Sequence, residues 1–238
     1  MSTVRFQMTG GVATLTLDRP EARNALNLQM CEELREAALA AAADAAVRVV
    51  FVRGAGPVFC AGADVKERSG MSEDQVRARR MKGFAAYAAL ESLPMPAVAL
   101  VQGAALGSGV EIAAACDFIV ATPEAVFGTP EAQRGTVGAT QRLPRVLGKR
   151  LAKDLMFTGR RLGAEAARSA GLVARISADL DAEARNIAEA ILKAPADALR
   201  LAKQCIDRGV ELDPEGALQV ELEAIERQLK SGKWMGKS

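Results

Sequence analysis

A single carboxylate stands in one of the most apolar stretches of this sequence. Glu111 is the only ionisable carboxylate between Ala97 and Cys116. Because burying an unpaired carboxylate is strongly unfavourable, such a group must be partnered, protonated or open to a cavity. Perturbed carboxylates of this kind gather at active sites, which makes Glu111 a candidate proton carrier. The alternative is a structural carboxylate that accepts backbone hydrogen bonds or pairs with an arginine.

Small residues in two turns would let a ligand approach the backbone closely. Residues 61–63 read Ala-Gly-Ala, and residues 107–109, just before Glu111, read Gly-Ser-Gly. Unpaired N–H groups in such turns and at helix starts bind oxyanions or phosphates. A turn that is small only because it must pack tightly is the alternative interpretation.

The sequence contains no histidine. This absence excludes Ser-His-Asp and Cys-His mechanisms and any metal site with a histidine ligand. The remaining proton carriers are carboxylates, lysines, cysteines and the single tyrosine, Tyr87. Glu131, in the segment Thr-Pro-Glu, is a further carboxylate, although its context alone is typical of a solvated loop residue. Glycine-rich nucleotide-binding motifs are also absent, so hydride transfer and nucleotide hydrolysis have no support.

The composition limits the classes of binding partner and the cellular compartments that are expected for this protein. The 238 residues carry 31 basic and 29 acidic side chains, a balance unlike that of a dedicated nucleic-acid-binding protein. The four cysteines are widely spaced, which predicts no disulfide framework, no metal cluster and a reducing, cytoplasmic location. The first residues lack the layout of a signal peptide, and no apolar run is long enough to span a membrane, so no membrane association is expected.

The elements that must position these residues alternate between strands and helices, which predicts an α/β fold with mostly parallel strands. Asn27 is the predicted cap of the first helix, and Ser72 opens a capping box. The predicted strands are residues 4–8, 12–17, 47–52, 97–101, 118–120 and 172–176. The predicted helices are residues 28–43, 73–93, a segment around Glu111, and 181–193, 196–208 and 214–230. The pattern divides the chain into an α/β core, residues 1–175, and a helical region, residues 176–238.

Several segments in this order together resemble the crotonase superfamily of enoyl-CoA hydratases and isomerases. They are LDRPEARNALN, FCAGADVKE, QGAALGSGVEIAAACD, FGTPEAQRG, ATQRLPRVLGK and FTGRRLGAEAARSAGLV. The resemblance extends from about Val4 to about Gln228. It implies a core of repeated ββα turns that carries the acyl-CoA site, and a helical C-terminal trimerisation region. The implied assembly is a homotrimer or a hexamer made of two trimers.

The resemblance also implies a reaction and a set of catalytic residues. Family motifs place the thioester oxygen between the backbone N–H groups of Ala61 and Ser108, where the family usually has glycine at the second position. Hydratases of the family use two glutamates, which match Glu111 and Glu131. The implied reaction is syn addition of water to a trans-2-enoyl-CoA, in which Glu131 gives a proton to C2. No metal or redox cofactor is implied, because acyl-coenzyme A is the substrate.

The substrate is expected to contact segments that match the family's binding segments. The residues concerned are Arg23, Ala25, Ala61, Gly62, Ala63, Asp64, Val65, Gly107, Ser108 and Pro130. This sequence departs from the family pattern at two places that bear on these expected substrate contacts. The stretch GTVGATQR after Glu131 is shorter than the family's usual Gly-Pro-Gly-rich stretch, and the end, QLKSGKWMGKS, lacks the usual final segment. Substrate chain length, coenzyme A affinity and assembly can therefore differ from the family pattern.

Two other functions compete with hydration. Δ3,Δ2-enoyl-CoA isomerisation is a proton shuttle that would run on Glu131 alone, and the presence of Glu111 disfavours it. A non-catalytic acyl-CoA-binding or RNA-binding member of the fold belongs to another functional class. Near-neutral charge and few aromatic residues argue against base stacking as the main task.

Overall fold

The strands of the computed structural model, which describes residues 2–232, form two sheets. The larger sheet has the order β1 (Val4–Thr9), β2 (Val12–Leu17), β3 (Val49–Gly54), β4 (Ala97–Val101), β6 (Phe118–Ala121) and β9 (Arg175–Ile176). The β1–β2 hairpin is antiparallel, and the other pairs in this sheet are parallel. The smaller sheet has the order β5 (Ala104–Leu106), β7 (Val126–Gly128) and β8 (Leu162–Gly163). The predicted mostly parallel α/β arrangement is confirmed.

The chain repeats one path through these sheets. A strand of the large sheet leads to a short strand of the small sheet and then to a helix, as in β4, β5 and α4 (Ser108–Ala114). The next turn is β6, β7 and, after a short 3-10 helix, α5 (Arg142–Thr158). A parallel bridge between Cys60 and Ala105 places the segment after β3 beside β5 in the same way. The predicted repeated ββα core is confirmed.

Helix bounds follow from local capping. In α1 (Leu28–Ala43), the Asn27 side chain accepts a hydrogen bond from the Met30 amide, as predicted. The short helix α2 (Val65–Arg68) is capped by Asp64. A complete capping box, formed by Ser72 and Gln75, opens α3 (Glu73–Glu91), which ends two residues earlier than predicted.

Both faces of the parallel strands are covered. The apolar side chains of α1 and α3 pack on one face. On the other face, Leu180, Ile187 and Ala188 of α7 (Leu180–Lys193) pack against residues of β3, β4 and β6 such as Phe51 and Leu100. Strands buried on both sides are continuous apolar runs, which is why β3 and β4 were recognisable from sequence.

The last part of the described chain is helical. It contains α6 (Ala164–Ser169) and, after α7, the helices α8 (Ala196–Gly209) and α9 (Pro214–Ser231), which pack against each other. An ion pair of 2.7 Å between Lys203 and Asp117 joins α8 to the core. The predicted bounds of α7, α8 and α9 agree within one residue. The division at residue 175 stays a prediction, and the end of the segment QLKSGKWMGKS, residues 233–238, lies outside the described residues.

Some elements differ from the sequence-based expectation. The predicted strand 172–176 pairs only through Arg175–Ile176, because Leu172 instead donates its amide to Ala167 at the end of α6. The strand predicted at 47–52 is observed as Val49–Gly54, in register with β2. Strands β5, β7 and β8 and helices α5 and α6 had no clear periodic signal. None of the helices in the described residues is long and apolar enough to cross a membrane.

Candidate active site

Two segments leave the sheets side by side and in the same direction. The parallel bridge between Cys60 and Ala105 is made by the Cys60 amide donating to Ala104 at 3.1 Å and the Leu106 amide donating to Cys60 at 2.9 Å. Ala63 and Ser108 each lie three residues beyond this bridge. The pairing therefore brings their backbones to the same end of the smaller sheet.

Glycines allow these two segments to approach closely. A Cβ added to Gly109 would lie 2.4 Å from the Cys60 carbonyl oxygen. Gly62 has φ +98, and a Cβ there would lie 2.9 Å from the Leu106 carbonyl oxygen and 3.9 Å from the Ser108 nitrogen. Small residues at these positions are therefore required by backbone packing, as the alternative interpretation of the turns held. The same packing places unpaired amides next to each other.

The backbone amides of Ala63 and Ser108 remain available to a ligand. Neither donates to an acceptor within residues 2–232; Ser108 is the first residue of α4, where helical N–H groups lack partners. The amide of Ala61 instead donates to the Arg23 carbonyl oxygen at 3.0 Å. Because this hydrogen bond occupies the Ala61 amide, it argues against the prediction that Ala61 donates to an oxyanion. The geometry favours the amide of Ala63, two residues later.

Glu111 lies in the first turn of α4, three residues after Ser108. Only 7% of the residue is exposed. Burial raises the pKa of its carboxyl to about 6; Arg142 acts against this increase, the charge of Glu131 adds to it, and a hydrogen bond from the Ala139 amide lowers it. The nearest Arg142 nitrogen is 4.0 Å from the carboxylate. Glu111 is thus both partnered and kept near its titration point, as a proton carrier requires.

Glu131 is held in a slot between two glycines. It follows β7, and a Cβ on Gly107 would lie 2.5 Å from its Oε1, while one on Gly138 would lie 2.9 Å from its Cγ. Its Oε2 atom is buried and has no hydrogen-bond partner among the described residues. Burial raises the pKa of this carboxyl, against a hydrogen bond from its own amide and the charges of Arg134 and Arg80. The solvated loop residue that its context suggested is not observed.

The two glutamates and the two unpaired amides share one cavity. This carboxylate cavity is lined by Ala63, Ser108, Glu111 and Glu131 together with residues of α3 and of the loop 136–138. An adjoining cavity shares Ala63 and Glu131 with it. Six predicted substrate-binding residues line the adjoining cavity: Ala61, Gly62, Ala63, Val65, Gly107 and Pro130.

Three predicted substrate-binding residues line neither cavity. Arg23 is exposed, and its carbonyl oxygen accepts the Ala61 amide. The Ala25 carbonyl oxygen accepts a hydrogen bond of 2.6 Å from Arg19. Asp64 accepts the amides that begin α2 and forms an ion pair of 3.0 Å with Arg19. In this structure their contacts position the segment 61–65.

Sequence analysis did not identify the site roles of Tyr87 and Arg142. The pKa of Tyr87 is raised chiefly by burial and further by the charge of Glu111, while the neighbouring Ser108 lowers it, so the phenol stays protonated at neutral pH. Arg142 lies 5.7 Å above the Tyr87 ring and forms an ion pair of 2.5 Å with Glu91. Neither has a local sequence signal, because α3 and α5 bring them to the site from distant positions.

No group of three metal-ligating side chains occurs among residues 2–232. The cysteines are free thiols, of which Cys60 is closest to the site by sequence, and burial raises its pKa to about 12. A neutral thiol is a poor nucleophile. The carboxylates are therefore the groups of this site suited to proton transfer near neutral pH.

Comparison with known proteins identifies the family of this chain. The family model described as enoyl-CoA hydratase/isomerase matches residues 7–233. The mitochondrial enoyl-CoA hydratase domain-containing protein 2 of Bos taurus is 43% identical over 223 residues, which cover 89% of this chain and 75% of that protein. The enoyl-CoA hydratase structure from Bacillus anthracis has a TM-score of 0.91 and 38% identity, covering 94% of this chain and 90% of that one. The Mycobacterium smegmatis enoyl-CoA hydratase structure has a TM-score of 0.92 and 32% identity, with coverage of 95% and 91%. The chain belongs to the enoyl-CoA hydratase/isomerase family of the crotonase superfamily.

Proposed function

We propose that this protein is an enoyl-CoA hydratase, which adds water to a trans-2-enoyl-CoA and gives a 3-hydroxyacyl-CoA. The observation that carries the proposal is the pair of carboxylates of Glu111, which is buried, and Glu131, which is half-buried, in one cavity beside two unpaired backbone amides. Hydration requires a group to activate water and a group to deliver a proton to carbon. A cavity with two such carboxylates can supply both.

The thioester carbonyl binds between the amides of Ala63 and Ser108. As water attacks C3, negative charge develops on the carbonyl oxygen, and fixed N–H donors stabilise that charge. Loss of one such donor typically lowers the rate about 10²–10³-fold. Ala63 replaces Ala61 in this role because the Ala61 amide is already bound to Arg23. The Ser108 side chain does not remove this donor, because the donor is the backbone amide, which has no acceptor among the described residues.

Glu111 and Glu131 hold the attacking water between them. One oxygen of Glu131 has no partner in the described protein, so it is available to accept the proton of water as the water oxygen bonds to C3. The same carboxyl then returns a proton to C2 of the enolate, on the same face. Proton and hydroxyl are thus added syn, and Glu131 ends in its starting state. The reaction requires no metal ion or redox cofactor.

Coenzyme A enters through the adjoining cavity. Residues 61–63, Val65 and Pro130 form part of its wall, and these small or apolar residues suit the thin pantetheine arm. We further propose a cytoplasmic location, supported by cysteines that are free thiols, and a trimeric or hexameric assembly through the helical region.

Δ3,Δ2-enoyl-CoA isomerisation is the second candidate. It is favoured by the unpartnered oxygen of Glu131, which alone could carry a proton between C4 and C2, while Glu111 is partly engaged by Arg142 and Ala139. In that reaction no water is added, and Glu111 would serve mainly to hold the loop that contains Ala139.

The two reactions differ in their products. Purified protein would be incubated with crotonyl-CoA and, separately, with trans-3-hexenoyl-CoA. The thioester products would be separated by chromatography, and their masses would be determined by mass spectrometry. The hydratase proposal predicts a product heavier by one water from crotonyl-CoA. Conversion of the 3-enoyl to the 2-enoyl thioester with no hydrated product would favour the isomerase instead. Where Glu111→Gln and Glu131→Gln are compared with wild-type protein, the variant Glu124→Gln, at an exposed position, controls for the loss of one carboxylate.

A further inference from the structure

Helix α3 presents a mixed apolar and basic face to the carboxylate cavity. Residues spaced three or four apart on this helix point the same way. The α3 residues that line the cavity are Val76, Arg79, Arg80, Gly83, Phe84 and Tyr87. Arg68 of α2 lines the same cavity and also the adjoining one, so it lies where the two cavities meet. An apolar face would be expected if the cavity accepted only a hydrocarbon chain, so the guanidinium groups need an explanation.

One of these arginines already has structural partners. Arg79 is 6% exposed; its Nε atom lies 2.6 Å from a Glu67 oxygen, and it also donates to the Leu26 carbonyl oxygen. Glu67 in turn accepts the Leu28 amide at the start of α1. Arg79 therefore ties α3 to α1, and its charge is neutralised by Glu67.

Arg80 and Arg68 have no such compensation. Arg80 donates to the Thr136 hydroxyl and, at 2.7 Å, to the Val137 carbonyl oxygen, which are neutral acceptors. Within the part of the chain that the structure describes, no carboxylate lies within 4.0 Å of either guanidinium. Both side chains are partly buried. The cavity thus contains two positive charges that lack an ion-pair partner in the described protein.

Their location relative to the reacting atoms is defined by α3 and by the loop 136–138. Arg80 bonds to Val137, and the next residue, Gly138, packs against Glu131. The charge of Arg80 lowers the pKa of both Glu111 and Glu131, so Arg80 is within electrostatic reach of both carboxylates. Tyr87, which contacts Ser108, lies seven residues further along α3, about 10 Å away at the helical rise. Arg80 therefore enters the cavity about two turns of α3 away from Tyr87.

A long alkyl chain would be a poor ligand for such a cavity. It would displace water from Arg68 and Arg80 without replacing the lost hydrogen bonds, which is unfavourable for charged groups. A carboxylate at the far end of a short acyl chain would instead accept charge-assisted hydrogen bonds from the same groups.

From this arrangement, and resting on the proposed acyl-CoA site, we propose that the acyl group carries a second carboxylate that binds Arg80 and Arg68. The substrate class is the coenzyme A monothioester of a short unsaturated dicarboxylic acid. The thioester lies at the amides of Ala63 and Ser108, the double bond lies between Glu111 and Glu131, and the distal carboxylate lies under α3. Arg80 and Arg68 then determine which acyl group is accepted.

Arg80 also acts as a counter-charge for the two glutamates, and this role must be separated from carboxylate binding. A counter-charge affects every substrate equally, because it acts on the catalytic groups. A carboxylate-binding residue changes the preference between two substrates. The quantity that separates the two roles is therefore the ratio, within each variant, of the affinity for a thioester with a second carboxylate to the affinity for one without it.

Binding without turnover tests this ratio. The dissociation constants of glutaryl-CoA and 5-methylhexanoyl-CoA, in which an isopropyl group replaces the carboxylate, would be measured by calorimetry. Wild-type protein is expected to prefer glutaryl-CoA about 10–100-fold, the range for hydrogen bonds to charged groups. Arg80→Met, Arg80→Gln and Arg68→Met should each reduce that preference at least about fivefold, in correctly folded protein as judged by circular dichroism. Arg77→Met is the matched control, since Arg77 on the same helix is exposed and paired with Asp74.

Equal affinity of wild-type protein for the two thioesters would overturn the proposal, as would an unchanged preference in all three variants. Hydration of glutaconyl-CoA and crotonyl-CoA by wild-type protein separates this result from the function itself. Hydration of crotonyl-CoA without a carboxylate preference rejects the second carboxylate and keeps the hydratase. A carboxylate preference without hydration of either thioester keeps the binding site and rejects the hydratase.

Discussion

At the scale of single residues, the protonation of Glu111 depends on a balance between burial and neighbouring charge. Burial raises its pKa to about 6, and Arg142 is the strongest influence in the opposite direction. Arg142 is itself fixed by Glu91 and by the Tyr87 ring, so its charge stays beside the carboxylate. Arg142 is therefore a positioning residue that keeps Glu111 ionised at neutral pH, when water activation requires the ionised form.

This balance predicts the pH dependence of catalysis. Because Glu111 must be ionised, kcat/KM should fall about tenfold per pH unit below its pKa of about 6. In Arg142→Met the opposing charge is lost, the pKa of Glu111 rises further, and the acid limb should move to higher pH. The measurement is the pH profile of kcat/KM for each protein. Arg145→Met, at an exposed position on the same helix, is the control, and an acid limb that stays in place or moves to lower pH in Arg142→Met would contradict the account.

At the scale of elements, the sequence was most informative where local rules decide the structure. The caps at Asn27 and Ser72 predicted the starts of α1 and α3, and the apolar runs predicted β3 and β4. Strands β5, β7 and β8 have only two or three residues and owe their pairing to distant partners. Sequence patterns carry no signal for such contacts, so these strands were not predicted.

The same limit applies inside the site. The small residues 61–63 predicted a turn that a ligand can approach, but the choice between the amides of Ala61 and Ala63 depends on Arg23, nearly forty positions away. Glu131 resembled a solvated loop residue because the two glycines that enclose it, Gly107 and Gly138, come from other segments. Residue types revealed the chemistry, while tertiary contacts select the atoms that perform it.

The turn between β5 and α4 gives a prediction at this scale. Gly107 has φ +51, and a Cβ there would lie 2.5 Å from Glu131 Oε1. Gly107→Ala should therefore displace Glu131, reduce hydration strongly and destabilise the protein by about 1–3 kcal/mol. Denaturant unfolding and initial rates would measure both effects. Gly163→Ala is the control, because nothing lies within 4 Å of its added Cβ, and equal behaviour of the two variants would contradict the close packing of Glu131.

At the scale of the whole molecule, α8 and α9 carry an apolar surface that the described chain leaves uncovered. Ile206, Leu218 and Leu222 are 65%, 55% and 45% exposed. Large exposed apolar surfaces of this kind are typical of interfaces between proteins. The expected homotrimer or hexamer provides one way of covering this surface, and this assembly remains a proposal.

A charged substitution on this surface tests the assembly. Leu222→Glu should lower the molar mass measured by light scattering after gel filtration, because it places a charge in an apolar interface. Leu39→Glu introduces the same change at a comparably exposed leucine of α1 and should leave the mass unchanged. A wild-type protein that is monomeric at all concentrations would reject the proposed assembly.

The central claim is that Glu111 and Glu131 together add water to an enoyl thioester. The most direct measurement is the loss of conjugated thioester absorbance with Glu111→Gln, Glu131→Gln and wild-type protein, with acyl-CoA binding measured in parallel. The account predicts that each variant loses at least about 10²-fold in kcat while retaining thioester affinity, because Glu111 holds the attacking water and Glu131 transfers its proton. A variant at either position that hydrates at the wild-type rate would contradict the two-carboxylate mechanism.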